Sequence, residues 1–372
     1  MAIVNQPYHP EHELAVAEFN RRLEATGDPD LVFYRTSVPQ WLPKLDGDPL
    51  YNEYFVAVDA GVVRGAYGLK HERAFIPGKG EIAVACCHHS ISEGIVDRSY
   101  AAVGGLMLRD ALVRQPLLYV LGMGGFDRPL PKMLKALGFG LALLPFFFKV
   151  AHPSRFLKEM HALRTSPLRR ILMDAGAATG LGWLALRAAQ LAKQARSPQS
   201  ANVTVERVPE FSDWAGPLWL QAREQYRMAA VRDSATLRRL YPATDRHFTR
   251  LRIRRNGIDA GWVVVGERRK DAKFGSMKVG SILDCWASPE NALAVARAAT
   301  RELESQDVDL LVSNQSHIAW GRALERCGFF QGPSTFILAA SKKYAELLSP
   351  FAENSRAIHV TRADGDGLPR NF

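Results

Sequence analysis

The sequence predicts an α/β protein with mixed sheets, built as two similar domains joined by a helical segment. Two observations carry this. Residues 117–139, LLYVLGMGGFDRPLPKMLKALGF, and residues 309–329, DLLVSNQSHIAWGRALERCGF, follow one plan: apolar strand, a break bearing Gly or Asn, helix, then Leu-x-x-x-Gly-Phe. Upstream of each lie a hairpin, a strand and a helix in the same order. A unit that recurs at this scale specifies two like domains before any chemistry is considered.

The first hairpin is FVAVDAGVVRGAYGLK (55–70), with its turn at Asp59-Ala60-Gly61. The second is LRIRRNGIDAGWVVVGE (251–267), turning at Asn256-Gly257. Asn-Gly between alternating apolar residues is a strong hairpin signal, because both central turn residues need positive φ. A strand follows each hairpin, EIAVACCHHSI (81–91) and KVGSILDCWAS (278–288), and then a helix, SYAAVGGLMLRDALV (99–113) and PENALAVARAATRELE (289–304). Pro289 suits a first helical position and Glu290 the positive end of the helix dipole. Leu134, Gly138 and Phe139 match Leu324, Gly328 and Phe329. LLPFFFKV (143–150) and TFILAAS (335–341) read as the strands that close each half. The expected division is 1–151, a helical segment 152–202, 203–345, and a C-terminal tail 346–372.

The chain has 372 residues, enough for two domains that each bury a core. A hydrophobic content of 47% and a charged content of 23% are those of a globular protein. Cys86, Cys87, Cys285 and Cys327 show neither ligand spacing nor a disulfide framework, which fits a reducing cytoplasm, and no metal site is expected. The N-terminus lacks the basic start and apolar run of a secretory signal. A net charge of +10 fits an Arg-rich surface or attraction to anions. No basic stripe interleaved with aromatics and no zinc-finger spacing occurs, so no nucleic-acid partner is expected.

Between the halves, ILMDAGAATGLGWLALRAAQLAKQAR (171–196) is nearly long enough to span a membrane. Asp174 and Arg187 interrupt it, and Gly and Ala dominate it, so the reading is a long packed helix. An alternative is peripheral membrane contact aided by Arg155, Arg164, Arg169 and Arg170. SPQSAN (197–202) reads as a linker.

The order hairpin, strand, helix, strand, helix with a closing Gly-Phe resembles the GNAT acyltransferase superfamily, taken over 50–150 and 205–342. Asn314, ahead of Ala319-Trp320, is similar to the Asn that often begins that family's closing motif. SEGIVDRSYAAVGG (92–105) and LGMGGFDRPLPKMLKALGF (121–139) resemble a bacterial two-domain GNAT group linked to exopolysaccharide gene clusters. The resemblance implies an N-acyltransferase using acyl-CoA, acetyl or longer, or another acyl thioester. It implies a small-molecule, glycan or peptide amine acceptor held between two domains. In such a fold two parallel strands part, and the thioester enters the gap. Backbone N–H groups there, at Ile91 in this chain, bind its carbonyl oxygen. The following loop and helix N-terminus bind the pyrophosphate.

The first half carries more of this pattern. The family's loop is Arg or Gln, two residues, Gly, one residue, then Gly or Ala. Here Arg98 is in place, Ala101 and Val103 stand where glycines are usual, and Gly104 and Gly105 follow. The plainer reading of those glycines is helix packing. In the second half Ser288-Pro289-Glu290-Asn291 has no glycine and places an acid where phosphate would sit, so that copy reads as degenerate. Asp284 in its strand is a candidate base or acceptor-amine anchor, with Asn314 in the acceptor pocket, or simply a solvent-facing strand residue.

Glu93, just past the first central strand, is the candidate general base, and His89 a second candidate through alternation. His88-His89-x-x-x-Glu93-Gly94 is also similar to the His-His-x-x-x-Asp-Gly of condensation and chloramphenicol-acetyltransferase-type enzymes, an alternative fold with the same reaction type. A non-catalytic double-GNAT scaffold is the other alternative, since neither copy keeps Gly-x-Gly. Gly122-Met-Gly124-Gly125 lacks the third glycine of a dinucleotide fingerprint. Lys132 and Lys135 read as a solvated helix face, and Trp320 and Tyr226 as buried aromatics.

Overall fold

The computed structural model describes residues 3–28, 31–34, 38–153, 155–156, 188–193, 202–271 and 275–365. The helix expected over 171–196, with its membrane alternative, lies largely outside these residues. No helix among the described residues is long and apolar enough to cross a membrane.

The first part of the chain forms β1 (Val4–Pro7), α1 (Glu13–Leu23), β2 (Tyr51–Asp59), β3 (Val62–Ile76), β4 (Gly80–Ser92), α2 (Val103–Arg114), β5 (Leu118–Gly122), α3 (Pro129–Ala136), β6 (Gly140–Leu143) and β7 (Phe146–Val150). The second forms β8 (Val203–Val208), α4 (Ala215–Ala222), β9 (Ala229–Ala230), α5 (Ser234–Leu240), β10 (Thr249–Arg255), β11 (Ile258–Asp271), β12 (Gly275–Ala287) and α6 (Ala292–Ser305). It ends with β13 (Leu310–Asn314), α7 (Ile318–Arg326), β14 (Phe330–Gly332), β15 (Ile337–Ala340), α8 (Lys342–Leu347) and α9 (Phe351–Asn354).

These elements form two compact units that are not contiguous in sequence: Met1–Leu143 with Ile337–Asn354, and Leu144–Phe336 with Ser355–Phe372. The sheet of the first runs β1-β2-β3-β4-β5-β15-β6, and that of the second β8-β10-β11-β12-β13-β7-β14. The order is the same in both. The β4–β5 and β12–β13 pairs are parallel, and α2 and α6 make the crossovers. One expectation is corrected here. Each closing strand was placed in its own half, but the two are exchanged. β7 pairs with β13 and β14, and β15 pairs with β5 and β6. An apolar run identifies a strand; it does not say which slot the strand fills.

Both hairpins form where the turn chemistry places them, with φ +48° and +79° at Ala60 and Gly61, and +53° and +78° at Asn256 and Gly257. The Leu-x-x-x-Gly-Phe repeat proves to be a helix stop. Gly138 and Gly328 adopt φ of +80° and +90°. Phe139 N–H donates to the Leu134 carbonyl, and Phe329 N–H to that of Leu324, each at 3.1 Å. Gly138 N–H reaches Lys135 and Gly328 N–H reaches Glu325. Both are Schellman caps, in which the Leu and Phe flanking the glycine are buried and the spent helix carbonyls are satisfied.

In unit 1 the sheet is covered on both faces. Tyr67, Leu69, Ala85 and Cys87 pack with Val103, Met107 and Leu108 of α2. Val56, Val63, Ala66 and Ile91 pack with Val16, Phe19 and Leu23 of α1 on the other side.

Candidate active site

In unit 1, β4 and β5 pair only at Ala85–Leu118 and Cys86–Tyr119. The cause lies one strand away. Between the Gly68–His88 and Ala66–Ile91 pairs, β3 has one residue, Tyr67, while β4 has two, His89 and Ser90. That is a β-bulge, which bends a strand and increases its twist. His89 takes φ +47°, an uncommon state for a side chain larger than Gly and one His tolerates better than most residues. β4 therefore leaves β5 beyond Cys86, and the backbone of 87–92 loses its sheet partner on that side. Ile91 is buried by its side chain in the α1 cluster, so only its backbone can face the opening.

Past the strand the chain makes two tight turns, 93–95 and 98–100, and enters α2 at Val103. Asp97 holds the second turn by accepting from Ser99 N–H at 2.9 Å. Arg98 and Ala101 are exposed, and Val103 is fully buried beneath α2. Gly104 and Gly105 decide between the two readings given above. A Cβ on Gly104 would meet nothing nearer than Ser92 Oγ at 3.5 Å, and one on Gly105 nothing within 4 Å. By contrast, a Cβ on Gly65 would come within 2.6 Å of Met107 Sδ. Packing requires the glycine at 65 and not those at 104 and 105. The latter leave bare backbone at a helix start, where N–H groups and the dipole favour an anion.

Glu93 is not the open carboxylate its position suggested. It is 4% exposed, and both oxygens are taken. Arg22 Nε donates to Oε1 at 2.8 Å and Arg22 Nη2 to Oε2 at 3.2 Å, while Arg64 Nη1 donates to both at 3.0–3.1 Å. Arg22 Nη2 also reaches the Val63 carbonyl, and the Arg64 guanidinium lies over Tyr100. A base needs a lone pair aimed at its substrate, and here guanidinium protons fill those positions. Glu93 pins the first turn to α1 and β3 instead. Both guanidiniums meet this one carboxylate, and Asp97 on the next turn also lies in the field of Arg64.

His89 is half-buried and lies on the unpaired stretch of β4. Its Nδ1 is 3.1 Å from Nδ1 of His88 and 3.4 Å from the Tyr34 hydroxyl. The His88 ring fills the space over Gly68, where a Cβ would approach it to 2.5 Å. Burial first, then the charges of His89 and Lys70, push the His88 imidazole well below the usual range, so it is neutral. Arg22, Arg64, Tyr34 and His88 were not legible as site residues, because their partners lie 29 to 71 residues away or one bulge away. The adjacent pair His88-His89 was the one usable signal.

Unit 2 repeats the frame. β12 and β13 pair from Val279–Leu310 to Ile282–Ser313, and β12 carries one extra residue against β11 between Asp284 and Ile282. Here the chain enters the opening. His359 bridges Ala229, its N–H donates to the Met228 carbonyl, and Ser316 N–H donates to the Val360 carbonyl. Ser316 Oγ exchanges hydrogen bonds with Ile358 and Val360. The rings of Trp286, Tyr226 and Trp320 close around His359. Asp284 is buried rather than solvent-facing. Its carboxylate accepts from Arg232 Nε at 2.8 Å, the Tyr241 hydroxyl at 2.7 Å and Thr361 Oγ1 at 3.2 Å, and Arg232 also binds Asp364. Asn314 is buried, and its amide donates to the Pro145 carbonyl. Both thus serve the packing of unit 2, and Asp284 anchors the 355–365 segment. That segment read as a tail, although Ala357-Ile358-His359-Val360-Thr361 alternates like a strand. α6 begins after a turn closed by Asn291 N–H to the Ser288 carbonyl, with Pro289 and Glu290 at its entrance.

No family model matches the chain, and no curated protein matches it. Among solved structures, Saccharomyces cerevisiae N-myristoyltransferase with bound myristoyl-CoA superposes with a TM-score of 0.53, over 92% of this chain and 79% of that one, at 7% identity. The same enzyme with myristoyl-CoA and inhibitors gives 0.51, over 91% and 79%, at 8% identity. A GCN5-related N-acetyltransferase from Anabaena variabilis gives 0.47, over 93% and 74%, at 11% identity. The α/β fold with two mixed sheets, expected from the sequence, is therefore the fold found, and it is shared with N-myristoyltransferase.

Proposed function

We propose that the chain is an N-acyltransferase that moves an acyl group from acyl-CoA, acetyl or longer, or another acyl thioester to an amine, and that unit 1 carries the reaction. One observation carries the reading. Two parallel strands part after two pairs, and the helix that follows starts on two glycines that packing does not need. The N-myristoyltransferase that shares the fold was solved with an acyl-CoA bound.

In this reading the thioester lies along β4 beyond Cys86. Backbone N–H groups at 90–92 bind its carbonyl oxygen and stabilise the oxyanion. The α2 N-terminus at 103–105 takes the pyrophosphate, with Arg98 drawing the anion in. The amine attacks as the neutral base, the C–N bond forms and the C–S bond breaks. The nitrogen's proton leaves with the thiolate, through water. Glu93 holds the turn in shape. The acceptor is a small-molecule, glycan or peptide amine. A cytoplasmic location is part of this reading, with Cys86, Cys87, Cys285 and Cys327 all buried.

Isothermal titration with acetyl-CoA and a series of longer acyl-CoAs tests this. One site per chain is expected, and no binding to any of them ends the proposal. A non-catalytic scaffold is the second reading, favoured by the sequestered Glu93 and the absent glycines at 101 and 103. It predicts that no acyl-CoA is turned over with any amine.

A further inference from the structure

Two imidazoles that meet nitrogen to nitrogen cannot both present a proton, and cannot both present a lone pair. His88 Nδ1 and His89 Nδ1 stand 3.1 Å apart, so one carries the hydrogen and the other accepts it. The surroundings say which. Nε2 of His88 is buried and has no hydrogen-bond partner among the described residues. If His88 carried its hydrogen on Nε2, that N–H would be a buried orphan, the rarer and costlier kind of unmet group. With the hydrogen on Nδ1, Nε2 is only an unused lone pair. The Tyr34 hydroxyl, 3.4 Å from the same His89 Nδ1, can donate or accept and so fits this arrangement without deciding it.

We propose that His88 sets the tautomer of His89: His88 Nδ1–H donates to His89 Nδ1, and His89 therefore carries its proton on Nε2. His88 is a positioning residue in this account. Its ring occupies the space over Gly68 that a Cβ would fill, and it is buried. The backbone at His89 is fixed in an uncommon state at the bulge, the kind of local strain that gathers at functional sites.

The consequence for chemistry rests on the acyltransferase reading of unit 1. In this tautomer His89, half-buried on the stretch of β4 past its last pair with β5, carries an N–H at Nε2 and no lone pair there. It is a hydrogen-bond donor to the oxygen that becomes negative, supplementing the backbone N–H groups. It is not the base that takes the amine's proton. No proton leaves His89 in this role, so the step balances as written above.

Nitrogen-15 NMR of the full chain labelled at histidine, recorded at pH 8 and assigned with His89→Gln, reads the tautomers directly. The expected result is protonated Nε2 and bare Nδ1 for His89, with the reverse for His88. An Nδ1-protonated His89 overturns the proposal in the unsubstituted protein, whatever any variant does. His88→Asn keeps a donor where Nδ1–H stood and should preserve the His89 tautomer. His88→Leu removes it and should give a mixture, and a His89 still wholly Nε2-protonated in His88→Leu also overturns the assignment. With acyl-CoA and an amine, His88→Leu should lower kcat roughly tenfold and leave KM for acyl-CoA within about twofold, with His88→Asn restoring kcat, as for a weakened oxyanion donor. A changed tautomer with unchanged kcat removes the catalytic role. If the unsubstituted protein binds no acyl-CoA, the acyltransferase reading falls while the tautomer result stands.

Discussion

The openings of the two units begin on one plan. Each has a hairpin, a bulged central strand, a parallel neighbour that pairs for a few residues and then departs, and a crossover helix. In unit 1 the strands part after two pairs, and the helix entrance is bare glycine backbone. In unit 2 residues 355–365 of the same unit lie in the opening, hydrogen-bonded along their length and clamped by Arg232 between Asp284 and Asp364. The lesson is that bulge and splay belong to the frame, whereas what occupies the splay is decided by loops and termini. A frame can be repeated within a chain while its two openings are lined differently.

The comparison is most easily broken at Arg232. Arg232→Met leaves Asp284 and Asp364 buried without a counter-charge, and should destabilise unit 2 by about 3–5 kcal/mol. Chemical denaturation reads the loss, and limited proteolysis should find 355–365 newly cleavable. Acyl-CoA affinity in unit 1 should be unaltered; a fall in it would mean that the clamp serves both openings.

Acid should loosen the same segment. Burial holds the His359 imidazole down at about 4, against an opposing pull from Asp364, and burial with the His359 charge holds His317 at about 4. Unfolded histidine titrates near 6.5, so between the two values the unfolded state binds the proton and the folded state does not. Stability is therefore complete above about pH 6.5 and falls as pH drops toward 4, by about 3 kcal/mol for His359 at the low end. Hydrogen exchange of 355–365 at pH 5 against pH 7.5 measures it. Equal protection at both values would show that His359 is not enclosed as described.

Much of this frame was legible in the sequence, and the reasons are local. Asn256-Gly257 announces its turn because both residues must take positive φ. Leu134-x-x-x-Gly138-Phe139 announces a helix end because the αL glycine and its two apolar flanks are one cap. The strand exchange was not legible, since β7 and β15 are apolar runs that fit either sheet. Nor were the fates of Glu93 and Asp284. Each looks like a carboxylate at a strand end, and only the fold brings up Arg22, Arg64 and Arg232 to occupy it. Pattern reports what a segment is, and long-range partners decide what its polar groups are free to do.

Glu93→Gln sharpens the assignment of that residue as a pin. Removing the charge leaves Arg22 and Arg64 facing each other across a neutral amide, and should cost about 2 kcal/mol of stability in unit 1, as for a lost charged hydrogen bond. Turnover per folded molecule should stay within about twofold. A loss of turnover at full folding would return Glu93 to the role of base.

The smallest effect is the most pointed, because it carries one difference between the units across to the other. Unit 2 enters its crossover helix past Pro289 and Glu290, and unit 1 through Gly104 and Gly105. In Gly105→Glu the new Cβ meets nothing within 4 Å, so the melting temperature should hold. What changes is the helix entrance, where a carboxylate now occupies the space and the dipole that the pyrophosphate would use. Acyl-CoA affinity should weaken roughly tenfold, about 1.4 kcal/mol, and more at low salt than at high salt because the added term is a like-charge repulsion. Gly105→Ala keeps the backbone and adds no charge, so it should bind nearly as the unsubstituted protein does. Equal affinity for the Glu and Ala variants, at either salt, would mean that the α2 entrance is not where the anion sits, and the contrast between the two openings would then lie in the splay alone.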